Sequence, residues 1–245
     1  MDLEITYLLN SGFLVRAGKT LLVFDDFEDP THEVKKAIEQ GGFAQLYFFA
    51  SHSHFDHFNP RIQAYEAAAS RYILSDDIRC RNGCRGFDPA KLTFLRTYDR
   101  WQDDRIEVES FDSTDLGTSF LVTLKEDDTK IFHAGDFNWW DWTGDTAENR
   151  KLAENAFRKQ MKKLAGLKAD VAFFPVDGRL GPSMEKGAKV FCRETDVKAL
   201  VTMHSVGYPV WQPAAGFFAA GKEIPVWSPR VSGEKNRLQD GRLLK

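Results

Sequence analysis

The chain has 245 residues, 42% of them hydrophobic and 28% charged, with a net charge of -3. That length can bury a sizeable core in one large domain or two small ones. The charge balance excludes the basic excess of a polyanion binder, so no nucleic-acid partner is expected. No stretch is long enough to span a bilayer, so no membrane partner is expected either.

The opening "MDLEITYLLNSGFLV" starts acidic and has no basic flank, unlike a secretory leader. From there "EITYLLNSGFLVRAGKTLLVFDDF" reads as three strands broken at Asn10-Ser11-Gly12 and Ala17-Gly18-Lys19. "PTHEVKKAIEQGG" reads as a helix with Val34 and Ile38 on one face and glycines at its end. "AQLYFFA" is a continuous apolar run, as expected of a strand buried on both faces. "NPRIQAYEAAAS" reads as a helix with Asn59 as cap and Pro60 at its first position, and "RYILSDD" as the next strand.

Cys80 and Cys84 in "CRNGC" do not have C-x-x-C spacing, and no second thiol pair exists; Cys192 reads as packing. Three cysteines make no disulfide framework, so a reducing, cytoplasmic setting is expected.

The middle of the chain is β-rich. "RIEVESFD" alternates, and "TSFLVTLKEDDTKIFHAGD" reads as a hairpin around residues 126–129. Residues 146–167 carry a helical pattern; the basic stretch from Arg158 to Lys168 lies on its solvated face. "ADVAFFPVDG" reads as a buried strand, "SMEKGAKVFCRE" as a helix, "KALVTMHS" as a strand, "QPAAGFFAA" as a short helix and "IPVWSPR" as a last strand. Early strands without intervening helices disfavour a doubly wound sheet. They favour two packed sheets with helices outside, in one domain spanning residues 1–245.

Half of the six histidines fall in "FFASHSHFDHFNP", residues 48–60. In extended backbone, residues i and i+2 point to the same side, so His52 and His54 can meet one ion. The turn that follows aims Asp56 and His57 at a second point. Imidazole with carboxylate suits zinc best, with manganese or iron as alternatives. A loop whose histidines merely hydrogen-bond would explain a lone histidine better than this cluster. Further ligands are expected at strand ends, where "TKIFHAGDFN" offers His133 and Asp136 and "ALVTMHSVG" offers His204.

With "SHSHFDHF", "FHAGDFN" and "VTMHS" in this order, the chain resembles the metallo-β-lactamase superfamily over nearly its whole length. Its style is that of compact, ascorbate-phosphate lactonase-like hydrolases, without room for the large insert of the nuclease branch. The resemblance implies an α/β (α+β) fold, a four-layer αββα sandwich. It also implies a two-metal centre of zinc, with manganese or iron as alternatives. His52 and His54 would bind the first ion, Asp56, His57 and His204 the second, and Asp136 would bridge; His133 would stand beside the site.

The chain departs from the pattern in one place. The superfamily usually has another histidine between the first cluster and "HAGD", and here there is none from position 58 to 132. In "SFDSTDLGTSFLV", Asp115 is the first candidate to replace it and Asp112 the second; a turn of Asp, Ser and Thr that caps a strand explains the segment equally well. A carboxylate there would harden the first site and make manganese or iron more competitive.

The implied activity is metal-dependent hydrolysis of a small molecule. Hydroxide from a metal-acidified water would cleave an ester, lactone, amide or phosphodiester. Asp56 would hold an ion and orient that water. The alternatives are an iron-dependent redox enzyme on the same fold and a non-catalytic metal-binding module. β-Lactam cleavage is not expected, because the chain shows no export signal.

Trp139, Trp140 and Trp142 follow the bridging aspartate and are candidates to wall an apolar pocket or to pack under the next helix. Tyr208 and Trp211 follow His204, and Tyr208 is a candidate substrate hydrogen-bond donor. Arg179, beside Asp177, is a candidate anion holder or a structural ion-pair partner.

Overall fold

The structure, a computed structural model, describes residues 2–80, 83–205, 207–208, 210–218 and 221–244. The first strands are β1 (Asp2–Tyr7), β2 (Phe13–Ala17), β3 (Thr20–Phe24), β4 (Gln45–Ala50), β5 (Arg71–Ser75) and β6 (Leu92–Leu95). They are followed by β7 (Arg100–Gln102), β8 (Ile106–Asp112), β9 (Thr118–Leu124) and β10 (Thr129–His133). The last third contributes β11 (Lys168–Ala169), β12 (Val171–Pro175), β13 (Asp196–Val197), β14 (Leu200–Met203), β15 (Val226–Trp227), β16 (Lys235–Gln239) and β17 (Arg242–Leu244). The α-helices are α1 (Glu33–Gln40), α2 (Asp76–Cys80), α3 (Ala147–Leu164) and α4 (Lys186–Glu194).

Two large sheets result. The first has eight strands in the order β17-β16-β1-β2-β3-β4-β5-β6, and the second has seven in the order β15-β14-β12-β10-β9-β8-β7. β11 and β13 pair on their own.

The period-2 rule explains how the sheets stack. Along β3, Leu22 and Phe24 join the core that also contains Phe120, Phe132 and Phe173 of the second sheet. Leu21 and Val23, on the opposite face, join a separate core with Val34 and Ala37 of α1 and Ile78 of α2. β4 divides the same way: Tyr47 and Phe49 face the second sheet, and Leu46 and Phe48 face the helices. This is why "AQLYFFA" is apolar without alternation.

On the far side, Phe157, Met161 and Leu164 of α3, spaced by four and three residues, bury one stripe against the second sheet. The side chain of Thr146 caps α3 by accepting from the N–H of Asn149. Helices therefore lie outside two face-packed sheets, the four-layer sandwich expected from the sequence.

Several elements differ from expectation. The segment after Asn59 is a 3-10 helix, Pro60–Tyr65, although the Asn59 side chain does accept from the N–H of Arg61 as a cap. Residues 212–218 of "QPAAGFFAA" form no helix: Gly216 takes positive φ, where a helix cannot continue; Ala219 and Ala220 lie outside the described residues. The last strand is not "IPVWSPR". β16 and β17 form a hairpin beyond it, turning at Asp240-Gly241 with both φ positive, and β16 pairs with β1. The C-terminus thus covers the edge that β1 would otherwise expose.

Candidate metal centre

Every expected ligand sits at the end of a strand or in the loop just after it, on one rim of the sandwich. His52, His54, Asp56 and His57 follow β4; Asp115 lies between β8 and β9; Asp136 follows β10; His204 follows β14. Parallel pairing of β3 with β4, of β10 with β12 and of β12 with β14 brings these ends together.

The side chains gather into two groups. His52, His54, Asp115 and Asp136 form one; Asp56, His57 and His204 form the other; within each, the ligand atoms lie within 4.8 Å of one another. Asp136 faces both. Its Oδ2 is 3.7 Å from Nε2 of His52, while its Oδ1 is 3.1 Å from Nε2 of His57 and 3.5 Å from Nε2 of His204. In the first group Nε2 of His52 and Nδ1 of His54 are 3.0 Å apart, and Oδ2 of Asp115 is 3.4 Å from that Nδ1. Asp112 is drawn away instead, accepting from the Gln160 amide of α3. Of the two candidates for the missing histidine's place, only Asp115 faces the cluster.

Hydrogen bonds set which ring nitrogens point inward. Asp25, buried at the end of β3, accepts from the N–H and the hydroxyl of Ser51 and from Nδ1 of His57, each at 2.7 Å. Since a carboxylate can only accept, Nδ1 of His57 carries the proton and Nε2 is left facing Asp136. Asp177 does the same for His204, whose Nδ1 lies 2.9 Å from its Oδ2. The Ser51 hydroxyl gives its proton to Asp25 and so accepts from Nδ1 of His52 at 3.0 Å. All three imidazoles thus present Nε2 to one region.

The β1–β2 turn braces the other side. Asn10 donates from Nδ2 to Oδ2 of Asp56 at 3.1 Å, and its carbonyl accepts from the N–H of His204. His204 has φ of 62°, a left-handed conformation that a histidine holds only when its surroundings fix it. His133 is fully buried beside the cluster, with Nε2 donating to the Ser11 carbonyl and its ring stacked on Phe24.

Two glycines permit this closeness. A Cβ on Gly117, at φ of 72°, would lie 2.1 Å from the Ser51 carbonyl oxygen and 2.5 Å from Cβ of His52; one on Gly135 would lie 2.7 Å from Cβ of Ser51. Gly117→Ala is therefore expected to destabilise the fold by about 3 kcal/mol or more, combining strained backbone with a backbone clash. Urea denaturation would show it, and a loss under about 1 kcal/mol would contradict this packing.

The donor set fits divalent cations. Nε2 of His57 and Oδ1 of Asp136 are buried without a hydrogen-bond partner, although only 3.1 Å apart. Unpaired buried polar atoms are costly, and an ion between them would satisfy both. Imidazole nitrogens with carboxylates are also what zinc, manganese and iron accept.

Without cations, protons do part of this work. Burial pulls the His204 pKa down, but Asp136, Asp177 and Asp56 outweigh it and raise it to about 9. Burial likewise opposes protonation of His57, and Asp136 and Asp25 overcome it, raising the pKa well above the ordinary value. The folded metal-free chain therefore holds the His204 proton more tightly than the unfolded chain does. That stabilisation is complete below the ordinary value of 6.5 and is lost as pH rises through about 9. Melts in chelator should show the melting temperature falling between about pH 6.5 and 9; a rising temperature would reverse the assignment.

The cluster floors a cavity of about 570 Å³ walled by Phe55, Trp140, Trp142 and Arg179. Trp140 is held by its indole N–H donating to the Asp136 carbonyl at 2.9 Å. The other two proposed substrate contacts stand elsewhere. Trp139 stacks on Phe157 of α3, with Arg158 of α3 and Lys186 of α4 over its ring, so it packs under the helices and does not wall the cavity. Tyr208 packs against Gly178 and lines a different hollow with Tyr7 and Arg230.

A groove of about 610 Å³ between α1 and β16 mixes Glu4, Arg16 and Lys36, and none of its residues belongs to either candidate metal group. The "CRNGC" pair runs through Arg81 and Asn82, which lie outside the described residues. Cys192 is buried, which pushes its thiol up to about 12.

Asn10, Asp25 and Ser51 were not expected as parts of the centre. Asp25 does have a signal in the sequence, since it ends an apolar run in the same way as the ligands do. Asp177, expected only as a salt-bridge partner, has the added role of orienting His204.

No family model matches the chain, and no curated protein does. Solved structures do. Igni18, described as a novel metallo hydrolase from Ignicoccus hospitalis, is 16% identical with a TM-score of 0.65, over 98% of this chain and 99% of that one. YhfI of Bacillus subtilis, a metallo-β-lactamase fold protein, is 11% identical with a TM-score of 0.63, over 96% of this chain and 99% of that one. CmlA of Streptomyces venezuelae, a diiron β-hydroxylase, is 12% identical with a TM-score of 0.54, over 83% of this chain but only 44% of that one. At such identities the likeness establishes the fold alone.

Proposed function

We propose that this chain, built on the metallo-β-lactamase fold, is a metal-dependent hydrolase of a small molecule. The observation that carries the reading is the convergence of seven strand-end ligands into two groups that share Asp136. His52, His54 and Asp115 would hold one cation, and Asp56, His57 and His204 the other, with Asp136 between them. Cations there, zinc or else manganese or iron, would supply Lewis acidity and a water acidified to near neutral pH.

The chain's own residues do the rest. Asp25 and Asp177 fix the tautomers of His57 and His204. Burial opposes ionisation of Asp56, yet the His204 and His57 imidazoles keep its pKa below the ordinary value, so it stays an acceptor. Asn10 aims that carboxylate, which can hold a cation and orient a water at once. Trp140 and Trp142 shield one wall of the cavity from solvent. The scissile bond is an ester, lactone, amide or phosphodiester. No helix of the described residues is long and apolar enough to cross a membrane. Three cysteines, too few for a disulfide framework, suit a cytoplasmic setting.

A panel of generic esters, lactones, amides and phosphodiesters, run with added zinc, manganese or iron, tests the reading. Turnover of one class, abolished by chelator, is expected. Metal bound in full with no turnover of any class would leave a metal-binding module instead.

One observation favours a second reading. Asp115 offers the first group a hard oxygen where imidazole is usual, which suits iron, and CmlA shares the fold. Coloured protein with stoichiometric iron and no hydrolysis would select an iron-dependent redox enzyme.

A further inference from the structure

Resting on the hydrolase reading, we propose that the substrate carries an oxyanion group, carboxylate or phosphate, beside a flat apolar ring. Arg179 would hold the anion and the aromatic wall would hold the ring.

Arg179 stands on the cavity rim in the 3-10 helix Gly178–Ser183 that follows β12. Its Nε and Nη2 grip Asp177, the carboxylate that orients His204. That pair fixes the guanidinium plane and spends one edge. Nη1 makes no hydrogen bond to the protein among the described residues, and the side chain is 47% exposed. A guanidinium held by one edge presents the other as a preorganised fork for a carboxylate or phosphate. Among the described residues no lysine and no second arginine lines this cavity. An anion bound there would sit next to the ligand cluster.

The ring side is equally built. Trp142 lies under the Arg179 guanidinium at 5.4 Å, and Trp140 stacks on Trp142 with ring centroids 5.8 Å apart and planes 9° from parallel. Trp140 cannot swing away, because its N–H is bonded to the Asp136 carbonyl. On the histidine loop Phe55 is 84% exposed, the highest exposure among the large apolar side chains of the described residues. The exposed ring of Phe55 and the fixed Trp140–Trp142 stack border one polar floor, an apolar rim that a flat ligand would cover.

Binding probes separate this proposal from the catalytic one, since none of the three has a bond to cleave. Metal-loaded protein is titrated with benzoate, with phenyl phosphonate and with neutral benzyl alcohol, following tryptophan fluorescence and calorimetric heat. Either anion is expected to bind at least about tenfold tighter than the alcohol. Which anion binds tighter identifies the group. A cation in the centre would also attract anions, so R179Q with its metal content measured decides the cause. At full metal content it should lose the preference for anions.

If R179Q loses metal along with the Asp177 brace, the wild-type protein still decides. Nitrogen resonances of the Arg179 side chain should shift with the anions and not with the alcohol. W142L should weaken all three probes while keeping their order. Equal binding of acid and alcohol, an unchanged preference in fully loaded R179Q, or unmoved Arg179 resonances would each overturn the proposal. Anion binding without turnover of any substrate would instead count against the hydrolase reading.

Discussion

Replacing Asp136 by alanine is expected to lower hydrolysis by at least about 10³-fold, equivalent to about 4 kcal/mol of transition-state stabilisation, with the fold intact. The size follows from its position. One oxygen faces His52 and the other faces His57 and His204, so a single substitution removes a ligand from both groups. It also leaves the imidazoles without the carboxylate that draws positive charge to them. Burial alone would raise the Asp136 pKa, but His57, His204 and His52 hold it far below the ordinary carboxylate value. The side chain is therefore an obligate anion at any working pH. Because Asp136 lies in the loop after β10 and outside the apolar core, circular dichroism should stay close to wild type, while the melting temperature should fall with the lost charge and metal. His57→Ala should have a similar effect on rate. Near-normal turnover in either variant would contradict the assigned centre.

The second large effect is expected one layer out. Asp25→Asn should weaken metal binding by about 10–100-fold, the usual consequence of losing a carboxylate behind a ligating histidine. Asp25 touches no site of reaction. It accepts three hydrogen bonds, two from Ser51 and one from His57, with both oxygens occupied. An amide in its place has a single acceptor oxygen and would turn an NH2 group toward one of those donors. His57 would then lose its fixed tautomer and Ser51 its place under Gly117 and Gly135. Competition with a chromophoric chelator measures the affinity. Unchanged affinity would mean that His57 is oriented by the metal alone.

Much of this architecture was readable in advance, for physical reasons. β3, β4, β10, β12 and β14 are apolar runs that end in polar residues, because their interiors are buried on both faces and their ends meet at the rim. The three-strand opening was readable from its turn residues, with Asn10 and Gly18 both at positive φ. The hairpin β16–β17 was missed although Asp240-Gly241 is a strong turn signal; its strands are short and charged, so neither reads as a core element. The helix expected at "QPAAGFFAA" has good local propensity, but Trp211 and Phe217 are instead packed against each other and into the core.

In the site, spacing identified the residues that converge. It could not choose between Asp112 and Asp115, because that depends on Gln160 of α3, 48 residues further along, capturing Asp112. Nor could it tell Trp139 from Trp140, adjacent in sequence and on opposite sides of the loop. The hydrogen bonds that Asn10 donates and Asp25 accepts were hidden for the same reason: each joins segments whose proximity only the completed sheets create.

Anomalous diffraction from crystals grown with zinc or manganese, with metal analysis of the same protein, tests the central claim most directly. The account predicts two ions on either side of Asp136, one against His52, His54 and Asp115, the other against Asp56, His57 and His204. A single fully occupied ion would remove the pair, and metal bound only outside these residues would contradict the centre altogether.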